Sequence, residues 1–189
     1  MEQIKSKHDE DPIVRYLEHT LGKPPEQFLT AIPTALSGDS LPPFLYLKED
    51  EPKPHWLIVT SGFNQHGFEL SLRLARHSSD ELPPQWPQRM FEEFYAYVSS
   101  RNEVFSDHDY TTYDLDAGGP RFAGAIFVQD KTLSKTKIGT HNVEFLQVFP
   151  VTASELTKAE GEDFEAFFKH VSEATEGSYI FDPDRKEIS

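Results

Sequence analysis

The sequence predicts an α/β or α+β domain built on a mixed or antiparallel sheet. Three observations carry that expectation. Apolar or alternating runs at 44–48, 55–60, 68–74, 122–129 and 142–151 read as strands. Segments at 11–22, 81–100 and 162–174 place their apolar residues at helical spacing. Strands follow one another directly in the chain, so the regular strand–helix alternation of a doubly wound fold is missing.

The first element is DPIVRYLEHTLG, 11–22. Asp11 is an N-cap residue and Pro12 fits the first turn, where its missing N–H has no cost. Ile13, Leu17 and Leu21 share one face, with Val14 and Tyr16 beside them, and Gly22 can end the helix in a left-handed conformation. Several prolines make 23–43 an irregular crossing. FLYLK and HWLIVT then form strands around a polar turn, EDEPKP, whose prolines forbid regular pairing. In Phe68-Glu-Leu-Ser-Leu-Arg-Leu-Ala75 the period is two, which predicts a half-buried strand with Phe68, Leu70, Leu72 and Leu74 inward.

Trp86, Met90, Phe94 and Tyr97/Val98 recur at helical spacing, with Phe91 and Tyr95 nearby, and Pro87 sits in a tolerated first turn. A polar, aromatic segment follows at 105–121, with a loop at Gly118-Gly119-Pro120. FAGAIFVQ is a strand, KTLSKTKIGTH (131–141) a basic and mobile connection, and NVEFLQVFPV a strand interior to the sheet. Thr152 or Ser154 can cap a helical turn at 155–159. Phe164, Phe167, Phe168 and Val171 mark one stripe of a last helix, and SYIF is a short closing strand.

A length of 189 residues suits one domain, and 13% aromatic residues, including 15 Phe, suffice for a sizeable core. Cysteine is absent, which excludes disulfides, thiol catalysis and Cys-type zinc sites. The charged N-terminus and the lack of a long apolar run predict a cytoplasmic chain without membrane contact. With 18 basic against 32 acidic residues, the net charge of −14 repels phosphate backbones and argues against nucleic-acid binding. The same field speeds encounter with a basic protein partner, or simply keeps the chain soluble.

Catalytic patterns are scarce. No G-x-S-x-G, Walker loop, G-x-G-x-x-G or helical H-E-x-x-H occurs. Of eight histidines, His8, His19, His55, His77 and His170 are scattered and expected in solvent. His108 lies between Asp107 and Asp109, a tripeptide that binds a metal only if other ligands converge on it, so no metal site is expected. His66 lies in SGFNQHGF, which reads either as a ligand loop or as the turn between two strands. The turn reading accounts for Gly62 and Gly67, and makes His66 a turn-tip side chain.

Four stretches, VTSGFNQHGFELSLRL, ELPPQWPQRMFEEFYAYV, NEVFSDHDY and VEFLQVFPVTASEL, resemble in order and spacing the N-terminal domain of the Suppressor of fused family. The family pattern is a small-Gly turn into a Gly-Phe-Glu-Leu strand, a Pro-Pro-x-Trp-Pro helix, a Phe-x-x-x-Asp segment, and a Phe-Leu-Gln strand entering a Thr/Ser-Glu-Leu turn. The resemblance spans roughly 10–185 and implies that 1–189 form a single domain, with a central mixed, largely antiparallel sheet flanked by helices. It implies no enzyme activity and no cofactor. Animal members are two-domain inhibitors that clamp an extended peptide, with strands donated by both domains. Bacterial members are often one domain, many of them similar to immunity proteins that neutralise a polymorphic toxin, or to standalone binding modules of unknown partner.

The resemblance carries two positions across: Tyr97, matching a tyrosine near the animal peptide cleft, and Asp109, matching an acidic residue that meets the peptide. The local order departs from the family, with His108-Asp109-Tyr110 in place of Gly-Asp-His. The second domain has no counterpart here, so the animal peptide is not the expected ligand. Tyr97 also suits core packing at helical spacing, and Asp109 suits a turn residue accepting backbone hydrogen bonds. The expectation is a non-catalytic protein-binding module, of immunity type, that occludes a basic protein partner through Tyr97, Asp107, Asp109, Tyr110 and Tyr113. A homodimer stays open. Two alternatives remain: a hydrolase using His66, His108 and a carboxylate, and an acidic nucleic-acid mimic that blocks a nuclease.

Overall fold

The structure, a computed structural model, describes residues 11–27, 44–101, 103–112, 122–161 and 164–188. The elements are α1 (Pro12–Leu21), β1 (Glu26–Gln27), β2 (Phe44–Glu49), β3 (His55–Thr60), β4 (Phe68–Ala75), α2 (Trp86–Arg101), β5 (Tyr110–Thr112), β6 (Gly124–Gln129), β7 (Thr136–Ile138), β8 (His141–Val151), α3 (Ala153–Gly161) and α4 (Phe164–Ala174). Strands run in the order β1-β2-β3-β4-β8-β6-β5, and β7 pairs with β8 off that path. Only the β4–β8 pair is parallel, with Leu70 opposite Leu146; the other described ladders are antiparallel. The sheet is therefore mixed and largely antiparallel, as the sequence led one to expect.

Helix α1 starts and stops where its sequence dictates. Asp11 caps it, its Oδ1 accepting from the Ile13 N–H at 2.8 Å, and Gly22 ends it at φ 71 with its N–H bonded to the Glu18 carbonyl. The other carboxylate oxygen of Asp11 accepts from Ser61 Oγ at 2.7 Å, which ties the helix to the turn after β3.

Two apolar layers enclose the sheet. On one face, Trp86, Met90, Phe91, Phe94 and Val98 of α2, with Phe167, Phe168 and Val171 of α4, pack on Phe44, Trp56, Ile58, Leu70, Leu72 and Phe127. On the other, Ile13 and Leu17 of α1, with Leu133 and Ile138, cover Leu45, Leu47, Leu57, Val59 and Phe145. Tyr16 stacks on Phe145 at 4.9 Å and donates its hydroxyl to the Ser134 carbonyl at 2.9 Å.

This second layer corrects three expectations. Strand β4 is not half-buried: Glu69, Ser71 and Arg73 are buried like the leucines between them, with the 60–64 turn around Glu69 and Asp130 against Ser71 and Arg73. Residues 131–141 are not a mobile connection. They contain β7, paired to β8 through Thr136 opposite Val143, and they bury Leu133 and Ile138. His55, expected in solvent, is 2% exposed. It opens β3 with its side chain on the covered face, and its Nδ1 lies 2.7 Å from the Lys53 carbonyl.

The polar groups so buried are matched in detail. Arg73 forms a two-pronged pair with Asp130, Nη1 to Oδ2 at 2.6 Å and Nη2 to Oδ1 at 3.0 Å. Ser71 Oγ donates to the same carboxylate at 2.6 Å, as do the Thr132 and Leu133 N–H groups at 2.8 and 2.9 Å. Burial pushes the Asp130 carboxyl up, but Arg73 and these donors outweigh it and hold it below its ordinary value.

Beyond the β4–β8 ladder the C-terminal segment completes the sheet. Phe181 N–H bonds to the Arg73 carbonyl and Ala75 N–H to the Phe181 carbonyl, both at 2.8 Å. The expected SYIF strand is reduced to this single bridge. Farther on, buried Glu155 accepts from both Arg185 Nη groups (2.5 and 2.7 Å) and from the Ile188 N–H (2.7 Å), which fastens the segment to α3. Glu155 also closes a capping box with Thr152, whose N–H it accepts at 2.9 Å.

Candidate functional site

The residues predicted to bind a partner fall on the end of α2, on the segment 103–109 and on β5. Phe105 organises this surface. Its ring stacks on Phe127 at 4.1 Å and on Tyr97 at 5.7 Å, both pairs within 12° of parallel, and meets Phe94 edge-on. Tyr97 is thus the half-buried outer leaf of a three-ring stack, which is the packing reading of this residue. The Arg101 guanidinium lies 4.8 Å from its centroid, and its hydroxyl donates to Glu103 Oε2 at 2.5 Å. That hydrogen bond, with a smaller contribution from burial, raises the phenol above its ordinary pKa.

The 106–109 turn is laced to β6. Asp109 Oδ2 accepts from the Ser106 N–H at 2.7 Å and Asp107 Oδ1 from the Gln129 N–H at 2.7 Å. His108 N–H bonds to the Phe127 carbonyl, and Phe127 N–H to the Asp109 carbonyl, both at 2.9 Å. Both aspartates are therefore turn acceptors, each with a second carboxylate oxygen in addition to the one so used. His108 adopts φ 65, and its exposed ring meets Phe168 edge-on at 4.6 Å, with Nδ1 3.9 Å from Glu165.

After this turn comes β5, the last strand of the path, with Tyr110 42% exposed. No strand signal is legible in the sequence here, because three polar and aromatic residues are too few to show a period. Its place is fixed by Gly124 on β6. A Cβ there would run into the Thr111 carbonyl, so the close approach of β5 requires glycine. Val104, which precedes Phe105 in the chain, is 52% exposed. Tyr113 lies outside the described residues.

The structure gives the histidines of the hydrolase reading different neighbours. His66 ends a 3-10 turn, Asn64–His66, with its Nε2 3.4 Å from Gln65, whereas His108 faces α4. Gly67, at φ 90, returns the chain to β4. Among the described residues, no three His, Asp or Glu side chains come together as a metal cluster.

What organises SGFNQHGF is a residue that sequence reasoning passed over. Glu69, fully buried, accepts from the Gly62 and Asn64 N–H groups through Oε1, both at 2.9 Å, and its Oε2 lies 2.5 Å from Thr60 Oγ1. Burial, opposed by these bonds, pushes its carboxyl up to about 8. The only signal in the sequence was a glutamate directly after a Gly-Phe turn.

The pattern of the Suppressor of fused protein family matches residues 40–186. Suppressor of fused homologues of Mus musculus and Homo sapiens are each 28% identical over 108 residues, which cover 56% of this chain and 22% of the relative. The chain therefore spans about a fifth of the curated relatives it matches. Among solved structures, a chain of the Sufu–Fu complex superposes with a TM-score of 0.79 at 18% identity, covering 92% of this chain and 89% of that one. Drosophila Suppressor of Fused gives 0.77 at 19%, covering 92% and 49%. A putative homologue from Neisseria gonorrhoeae gives 0.69 at 14%, covering 96% and 97%.

Proposed function

Since the chain belongs to the Suppressor of fused family, we propose that it is a non-catalytic protein-binding protein whose partner docks on β5 and the adjoining Tyr97–Phe105 shelf. The observation that carries this reading is β5, the last strand of the sheet among the described residues, which presents an exposed tyrosine near an aromatic stack and two turn aspartates. A sheet edge offers backbone donors and acceptors to an added strand, and a neighbouring aromatic shelf supplies the apolar contact that holds it. Asp107, Asp109, Glu103 and Glu165 make the surroundings acidic. With a chain charge of −14 they favour a basic partner. The Sufu–Fu complex is an instance of a structurally similar chain bound to another protein. An immunity role, in which the partner is a toxin inhibited by occlusion, is the form of this reading that suits the acidity of the chain.

The test is capture from the source organism's extract on immobilised protein, at low and at high salt. Wild type is expected to retain a basic protein at low salt and release it at high salt. Tyr110→Arg, which places a positive charge on the edge, and Gly124→Ala, which pushes β5 off β6, are expected to reduce capture about tenfold or more, the scale of a lost interface anchor. Co-expression with the captured protein then reads toxicity and its relief. Equal capture by all three proteins would place the partner elsewhere.

A further inference from the structure

On the α1-bearing face of the sheet, away from β5, a cleft of about 270 Å³ opens between the end of α1, the β2–β3 turn and residues 176–178. Leu21 and Leu57 give it apolar walls. His55, Arg73 and Gln147 line its buried part, and Glu49, Glu51, Glu176 and Lys131 bring charge to it. Most of these charges are already met. Arg73 is neutralised by Asp130, Glu49 pairs with Lys23 at 3.1 Å, Glu176 with Lys53 at 3.7 Å, and Lys131 donates to the Gly177 carbonyl at 3.3 Å. Glu51, which is exposed, has no ion pair among the described residues.

The informative group is His55. A carbonyl only accepts, so the 2.7 Å contact with the Lys53 oxygen assigns the hydrogen to Nδ1. Nε2 of the neutral ring is then an acceptor, and it has no hydrogen-bond partner among the described residues, although the residue is 2% exposed and lines the cleft. Burial lowers its pKa, the Lys53 bond and Glu49 oppose that, and Arg73 and Arg76 reinforce it, so the balance favours the neutral ring. Nε2 is not among the fully enclosed atoms without a partner, so a donor that enters the cleft can reach it.

We propose that this cleft binds an aliphatic ammonium group, with an N–H of the cation donating to His55 Nε2, its stem lying against Leu21 and Leu57, and Glu51 meeting its charge. A free alkylamine and a lysine side chain share this chemistry. The site lies on the opposite face from β5 and does not depend on the reading given above.

The experiment is a long-range ¹H–¹⁵N correlation spectrum of the imidazoles during titration with n-butylammonium chloride, against tetramethylammonium chloride, which carries the charge without an N–H. A saturable shift confined to His55 Nε2, seen only with n-butylammonium, is the expected result. Glu51→Gln, an exposed change that leaves the fold intact, weakens it several-fold, and His55→Phe abolishes it. Tighter binding of 1,5-diaminopentane than of Nα-acetyl-lysine methylamide assigns the site to free amines, and the reverse order assigns it to protein lysines. No saturable shift, an equal shift with tetramethylammonium, or an unchanged affinity in Glu51→Gln would overturn the proposal.

Discussion

Replacing Asp130 by alanine is expected to destabilise the protein by about 3–5 kcal/mol, the cost of leaving one member of a buried ion pair uncompensated. The carboxylate serves several groups at once. It neutralises Arg73, whose side chain is 8% exposed, and it accepts from Ser71 and from two backbone N–H groups. No other acidic partner of Arg73 is seen among the described residues, so its charge would remain buried without a counter-charge. Urea unfolding followed by circular dichroism reads the loss as a lower midpoint at unchanged slope. Arg73→Met in the same chain is expected to recover part of it, because an apolar side chain removes the stranded charge. A double variant no more stable than Asp130→Ala alone would show that the loss comes from the backbone bonds at 132–133. The pair also has a pH signature. The Asp130 carboxyl is held below its ordinary value, so its contribution is present above that value and is lost as pH falls through the lower, folded-state one.

Glu69→Gln is expected to make the protein more stable at high pH. The carboxyl titrates near 8 in the folded chain, against an ordinary 4.5. A group whose pKa is raised on folding stabilises fully below its unfolded value, and that stability is lost as pH rises through the folded one. Wild-type stability is therefore expected to fall between about pH 4.5 and 8, by a few kcal/mol across the interval. Glutamine keeps an oxygen for the Gly62 and Asn64 N–H groups and can donate to Thr60, yet it has no charge to bury. Denaturation midpoints of the two proteins should lie close together near pH 5 and separate progressively toward pH 9. Parallel midpoints across that range would mean that Glu69 is ionised in the folded protein.

These two carboxylates also explain how far the sequence could be read. Local chemistry was legible wherever the partners are close in the chain. Asp11, Pro12 and Gly22 mark both ends of α1, and the spacing from Trp86 to Val98 marks the buried face of α2. The misreading of β4 as half-buried has the opposite origin. A polar residue at every second position ordinarily faces water. Here Thr60 stands nine residues from Glu69, and Asp130 stands 57 from Arg73. No local pattern reveals partners so distant. The lysines of 131–141 hid Leu133 and Ile138 in the same way, and the charged surroundings of His55 hid its burial.

The site was legible only in part. Tyr97 and Asp109 entered through family resemblance; in the structure Tyr97 stacks on Phe105, and Asp109 accepts from Ser106 in the turn that follows. Phe105, which holds Tyr97 in place, and Gly124, which admits β5, gain their meaning only from contacts across the sheet.

The measurement that tests the central claim most directly is amide hydrogen exchange of the protein with and without its captured partner. Binding at the sheet edge predicts slowed exchange at 110–112 and in the 104–109 segment, with no change at α1. Protection confined to α1 or to the β2–β3 turn, with β5 exchanging as in the free protein, would contradict it.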